Sequence, residues 1–150
     1  MSDNFIEVIY DKFVFKVDKG CLYHANECWM RREGDIAVVG VTDFLQKTAG
    51  DAAFVELPET GARLSQGGEA GVVETIKTTL ALISPLSGEV QEINPLLDEE
   101  PQLLNTDPFG AGWLFKLKLS RWEEESGHLM DSETYLPLMK KKIEQELSNK

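Results

Sequence analysis

Basic charge is scarce in this 150-residue chain: 15 Lys and Arg stand against 26 Asp and Glu, a formal net charge of −11. Phosphate backbones demand basic surfaces, so the balance argues against nucleic-acid binding. It fits a protein steered onto basic partners, and equally the acidic surface of an organism living in high salt. Cysteine is scarce too. Cys21 and Cys28 are not spaced as a redox CxxC, and no second Cys or His pair completes a zinc site. They are expected to be reduced, half-buried thiols. No apolar run reaches the length of a membrane span. The opening residues, MSDNFIEVIYDK, lack the basic region and apolar stretch of a secretory signal, so a cytoplasmic protein is expected. Also missing are GxSxG, a P-loop, GxGxxG ahead of a helix, and HExxH. His24 and His128 have no acidic or cysteine neighbour at a ligand spacing, and nothing marks a carboxylate pair for acid–base work. No catalytic residue and no metal site is expected. A binding module or carrier is easier to build from these residues than an enzyme.

What is present is short apolar alternation. A hydrophobic content of 42% over this length suffices for one domain with its own core. Phe5 to Val17 alternates well enough for one or two strands. Arg31 to Asp35 reads as a charged turn, and Ile36 to Val41 as a β-branched strand. Thr42 or Asp43 can cap a short helix from Phe44 to Ala49, with Gly50 at its left-handed end. Ala53 to Leu57 is a strand stopped by Pro58. Gly71 to Glu74 and Thr78 to Ser84 read as two strands joined around Thr75-Ile76-Lys77. Glu89 to Ile93 and Trp113 to Leu119 are further strands. Asn94-Pro95 opens a short helical piece, and Pro101 to Leu104 is another. Glu123 to Glu125 reads as a solvated loop. A helix from Leu138 to Leu147, opened by Pro137, carries Met139, Ile143 and Leu147 on one stripe, inside a C-terminal helical region at 132–148. Many short strands between glycine turns indicate an all-β sandwich or barrel.

One lysine stands out. In VVETIKTTLALISP, residues 72–85, Lys77 sits inside a β-branched run. This stretch, followed by Ser84-Pro-Leu-Ser-Gly-Glu-Val90 and Asn94, resembles the glycine cleavage system H protein family. So do Val39-Gly-Val-Thr-Asp-Phe-Leu-Gln46, Phe54-Val-Glu-Leu-Pro-Glu-Thr-Gly61, Glu100 to Asn105, Asp107-Pro-Phe-Gly110 and Gly112-Trp-Leu-Phe-Lys-Leu-Lys-Leu-Ser120. The motifs run collinearly from about Tyr23 to the C-terminal helix. The resemblance implies a mainly β, lipoyl/biotinyl-domain-like flattened barrel of sandwiched sheets, with short helices and a C-terminal helix. It implies one carrier domain over 1–150, with 1–20 as an N-terminal extension. It implies lipoic acid in amide linkage on Lys77, with a lipoate-attaching enzyme and the client enzymes as partners and the carrier a monomer. Glu74 matches the family's acidic recognition position for attachment, or else is a strand-end carboxylate pairing with Lys77. Gly61 and Gly88 match turn glycines, and Trp113 is expected in the core.

The resemblance also exposes departures beside the expected path of the arm. Asn26 stands where the family has serine, Cys28 where it has glutamate, and Ala81 where it has an acidic residue four positions after the lysine. A carried ammonium group wants carboxylates once water is excluded. These departures point to the lipoate-binding paralogues of a heterodisulfide-reductase-like sulfur oxidation pathway, with Cys28, Asn26 and Ala81 near an arm that carries sulfur intermediates to a heterodisulfide-reductase-like complex. The alternative is an H protein carrying the aminomethyl group among the glycine cleavage enzymes. A second alternative is an unmodified interaction module.

Overall fold

The computed structural model describes residues 4–148. The first three residues of the expected 1–20 extension lie outside the described residues. The chain opens with an antiparallel hairpin, β1 (Phe5–Tyr10) and β2 (Phe13–Asp18), turned at Asp11 with φ 56°. Then follow β3 (Leu22–His24), β4 (Cys28–Glu33), β5 (Ile36–Val41), helix α1 (Asp43–Ala49), β6 (Ala52–Glu56), β7 (Arg63–Leu64), β8 (Glu69–Thr75), β9 (Thr79–Ile83) and β10 (Gly88–Ile93). A 3-10 turn at Pro95–Asp98, α2 (Leu103–Thr106), β11 (Phe115–Leu119), α3 (Trp122–Glu125) and α4 (Ser132–Ser148) complete the chain.

The strands form a six-stranded sheet in the order β3-β4-β5-β11-β10-β7, a three-stranded sheet β6-β8-β9, and the separate β1-β2 pair. The two larger sheets close on a core that includes Val39, Val73, Leu82, Val90, Phe115 and Leu117, which is the flattened β-barrel expected. Each strand contributes alternate residues, because successive side chains point to opposite faces. Gly88 is needed for closeness of approach rather than for a turn: a Cβ there would lie 2.3 Å from the Lys118 carbonyl oxygen across the β10–β11 pair.

A second core seats α4 and the hairpin against the other face of the six-stranded sheet. Phe15, Tyr23, Trp29, Tyr135, Met139 and Ile143 belong to it. Tyr23 and Tyr135 stack with centroids 4.4 Å apart, and the Trp29 indole donates to the Pro108 carbonyl at 3.0 Å. Each such large side chain stabilises the fold by roughly 1.5–3 kcal/mol. Trp29, not Trp113, is the buried tryptophan; Trp113 is half-buried, with Lys116 5.4 Å above its ring.

Several local expectations are corrected. Arg31 and Arg32 lie in β4 rather than in a turn, because each finds a ring to cover: Arg31 lies 4.5 Å over Trp29 and Arg32 4.4 Å over Trp122. Glu125 is not in a solvated loop. It is buried in α3, and its carboxylate accepts from the Ser87 amide and hydroxyl. Helix α4 begins at Ser132, so Pro137 sits inside it. The turn before the proline holds because Asp131 accepts the Thr134 N–H at 2.8 Å on its side chain and the Tyr135 N–H at 2.9 Å on its carbonyl, and Tyr135 is buried. Both cysteines are free and fully buried rather than half-buried. Among the described residues no helix is long and apolar enough to cross a membrane.

Candidate functional site

Lys77 projects from the three-residue connection between β8 and β9. The strands are in register up to Glu74 opposite Thr79, and the Thr75 N–H donates to the Thr78 carbonyl at 2.7 Å. The Thr75 hydroxyl then organises the tip. It accepts the Lys77 N–H at 3.1 Å and the Thr78 N–H at 3.0 Å, and its proton reaches the Ala49 carbonyl at 2.8 Å or the Thr78 carbonyl at 3.1 Å. A threonine side chain that bonds backbone N–H groups just downstream is an established way of closing a turn.

The tip is also docked. Ile76 N–H donates to Asp51 O at 3.2 Å, and the Lys77 Nζ donates to Thr48 O at 2.9 Å. The support is therefore the C-terminal end of α1. Thr42 caps the start of that helix by accepting the Leu45 N–H at 3.1 Å. Gly50 ends it with φ 94°, and a Cβ there would press within 3.1 Å of the Lys77 Cδ, so glycine serves both the left-handed conformation and the passage of the lysine stem. Asn105 locks the platform from below: its amide nitrogen donates to Gly50 O at 2.9 Å and its oxygen accepts the Ala52 N–H at 2.8 Å. Free carbonyls at a helix C-terminus favour a cation or an N–H donor, which is what Lys77 supplies.

The remaining candidates are spread over two faces. Glu74 and Ala81 are exposed on the outward face of the three-stranded sheet, Glu74 between Phe54 and Thr79 and Ala81 opposite Val72. Glu74 takes no part in the bond that holds the Lys77 amine. Asn26 is exposed in the β3–β4 turn, its N–H donating to the His24 Nδ1 at 3.1 Å. Cys28 points inward. It is 1% exposed, and its thiol donates to Ile83 O at 2.8 Å. Ile83 lies at the far end of β9, about 13 Å along the strand from the tip-proximal Thr79. Burial pushes the Cys28 thiol up to about 12, and Glu27 adds to the shift against the opposing backbone contact at Ile83. Such a thiol is neutral and unreactive.

Glu27, between these two, was passed over in the sequence. It has φ 70° and is buried. Its carboxylate accepts from the Thr42 hydroxyl at 2.7 Å, from the Tyr135 hydroxyl, and from the Lys142 Nζ at 2.6 Å. It thereby ties the β3–β4 turn to the start of α1 and to α4. No spacing rule reveals a clamp whose partners lie 15, 108 and 115 residues away; Thr42 and Thr75 were visible as a cap and a turn threonine.

The sequence model of the Glycine cleavage H-protein family matches residues 21–142. The chain is 41% identical over 128 residues to a glycine cleavage system H protein of Carboxydothermus hydrogenoformans, covering 85% of this chain and 98% of that one. It is 48% identical over 118 residues to one of Methylocella silvestris, covering 79% and 94%. The crystal structure of a glycine cleavage system H protein from Mycobacterium marinum superposes with a TM-score of 0.74 at 33% identity, over 81% of this chain and 98% of that one. With the lysine-tipped hairpin, the flattened barrel and these matches together, the chain belongs to the glycine cleavage H-protein family.

Proposed function

We propose that this protein is a non-catalytic carrier of the glycine cleavage system, with lipoic acid attached through an amide bond to Lys77 and the aminomethyl group as its cargo. The observation that carries the reading is the presentation of Lys77: an amine on an exposed, hydrogen-bonded three-residue tip, inside the segment that matches the family. A primary amine held outside the barrel on rigid strands fits the group chemically, since an attachment enzyme can enclose it without unfolding the domain. When bound, lipoic acid supplies a cyclic disulfide for thiol–disulfide chemistry. The chain's own contribution is placement. Thr75 fixes the backbone from which the lysine leaves, Thr48 holds its nitrogen, and the docked tip anchors one end of a tether that raises the effective concentration of the carried group at a client's active site.

Glu74 is the proposed recognition residue for attachment; its exposure near the end of β8, three residues before the lysine, supports that reading. Glu74→Ala should slow lipoate attachment and leave the thermal melt within about 1 kcal/mol of wild type, the ceiling for an exposed carboxylate. Equal attachment rates would remove Glu74 from that role.

The sulfur-pathway reading rested on the departures at Asn26, Cys28 and Ala81, the thiol among them. A buried, neutral thiol bonded to Ile83 O does not supply a reactive sulfur, and the relatives described above carry the glycine cleavage name. The glycine cleavage assignment is therefore preferred, with those enzymes and a lipoate-attaching enzyme as partners. Peptide mapping of protein from its own host tests the attachment: a lipoyl adduct on Lys77 is expected, and an unmodified Lys77 in lipoate-replete cells would refute it.

A further inference from the structure

The β1-β2 hairpin lies outside the segment that carries the family match, residues 21–142, yet its tip stands beside Lys77. Tyr10 and Phe13, the pair that closes the hairpin, border the same surface hollow as Thr48 and Lys77. The next pair, Ile9 and Val14, follows about 3.4 Å along the strands. Phe13, Val14 and Ile9 are all exposed, Ile9 at 72%, and Ile76, the residue before the lysine, is exposed at 77%. Apolar side chains gathered in water around one amine mark an interaction surface. The hairpin and the lysine also share a support. Lys16 N–H donates to the buried Asp43 carboxylate at 2.8 Å at the start of α1, and the buried Phe15 ring lies 6.1 Å from that of Phe44 on the same helix. The Lys77 Nζ donates to Thr48 O at its other end. One seven-residue helix thus holds Phe13 and Lys77 in a fixed relation.

We propose that the N-terminal hairpin is a recognition element for the enzyme that attaches lipoate to Lys77, with Phe13 as its contact residue and Ile9 and Val14 as an apolar flank. The inference rests on the reading of Lys77 as a lipoylated residue. Attachment joins the neutral Lys77 amine to the carbonyl carbon of a lipoyl group activated on the enzyme. The C–N bond forms, the activating group leaves with its bonding electrons, and the nitrogen loses one proton. The reacting atoms must come within about 3–3.5 Å, so the enzyme has to close over the tip itself. A client enzyme meets the far end of the arm and is under no such constraint. A standard interface covers about 800 Å² on each partner, a disc of about 16 Å radius. Centred on Lys77, that disc takes in a hairpin tip that borders the same hollow. Phe13 suits the part of a contact residue, because aromatic side chains near the centre of an interface carry much of its energy. The shared seat on α1 presents Phe13 and Lys77 together, so little ordering is needed when the enzyme docks. The partner surface that fits is an apolar rim beside the entrance to an acyl-transfer site.

Steady-state lipoylation of the full chain by its host's lipoate-attaching enzyme tests the proposal. Phe13→Ser should raise KM about tenfold, the size expected when an aromatic contact is lost, and leave kcat unchanged. Phe13→Leu keeps an apolar contact and should recover most of the loss. An unchanged KM in folded Phe13→Ser overturns the proposal. A photo-crosslink gives a second readout that does not depend on that variant folding. The photoreactive residue p-benzoylphenylalanine, placed at Val14, should join the carrier to the attachment enzyme on irradiation. Placed at Glu124, in α3 beside the Glu125 that holds Ser87 beyond the far end of β9, it should not. No crosslink from position 14, or an equal one from position 124, overturns the proposal. The lipoyl reading fails separately, by mass: it is refuted when Lys77 of the wild-type chain stays unacylated. The role of the hairpin is refuted when Lys77 is acylated equally well with and without the Phe13 ring.

Discussion

Replacing Thr75 with valine keeps the β-branched shape of the strand end and deletes one hydroxyl. That hydroxyl accepts the N–H groups of Lys77 and Thr78 at 3.1 and 3.0 Å and donates one proton, at 2.8 Å to Ala49 or 3.1 Å to Thr78. Three hydrogen bonds are therefore at stake. Each contributes about 0.5–1.5 kcal/mol net, and the exposed ones fall at the low end because water replaces them. The sum is about 1.5–2.5 kcal/mol. For a domain of this length each kcal/mol moves the midpoint by about 2–4 °C, so Tm should fall by roughly 3–10 °C. The functional consequence is separable. Without the hydroxyl, the Lys77 N–H loses its partner and the tip samples other turns, so attachment of lipoate to Lys77 should slow by more than the loss of folded protein explains. Thermal melts and a ligase assay at a temperature where both forms are folded read the two effects. Thr75→Ser retains the hydroxyl and should recover most of both. A Thr75→Val protein that melts within about 1 °C of wild type and is acylated at the same rate would refute the claim that this hydroxyl builds the tip.

Glu27→Gln should cost about 1.5–3 kcal/mol, because it leaves Lys142 and the Tyr135 hydroxyl without the carboxylate they share; a melt unchanged from wild type would show that the clamp contributes nothing. The pKa of His24 is lowered, first by burial and then by the charges of His128 and Lys142. The unfolded chain therefore binds the proton first as pH falls toward the ordinary imidazole value of 6.5, and stability should drop with falling pH from there; His24→Gln should flatten that slope, and an identical profile would refute the assignment. Native protein should leave Cys21 and Cys28 unlabelled by iodoacetamide near neutral pH and yield both in denaturant, since burial pushes each thiol up to about 12; rapid native labelling of Cys28 would restore it as a candidate for sulfur exchange.

The parts of the fold that were legible are those set by local chemistry. Alternation marked the strands on either side of Lys77, Thr42 and Gly50 bounded α1 as cap and left-handed terminus, and Asn94 capped the turn begun by Pro95. The placement of Lys77 at a tip was legible because charge inside a β-branched run needs a turn to leave the core; its candidacy as the site came from the resemblance to the H-protein family. What escaped depends on contacts between distant segments. Glu27 and Glu125 look like surface acids until α4 and Ser87 are brought to them. Arg31 and Arg32 look like a turn until Trp29 and Trp122 offer ring faces. Pro137 looks like a helix start because the Asp131 cap that carries the preceding turn leaves only a weak local signal. The direction of the Cys28 side chain was equally hidden: β4 pairs closely enough with its neighbours that one residue of register decides between arm and core.

Reconstitution tests the central claim most directly. Lipoylated protein is combined with glycine decarboxylase and aminomethyltransferase, beside Lys77→Arg carried through the same lipoylation step. Turnover is expected with the wild-type chain and background with the variant, since arginine keeps the charge and length but offers no amine for the amide bond. Turnover that persists with Lys77→Arg, or none from a chain whose Lys77 is verified as lipoylated, would contradict the claim.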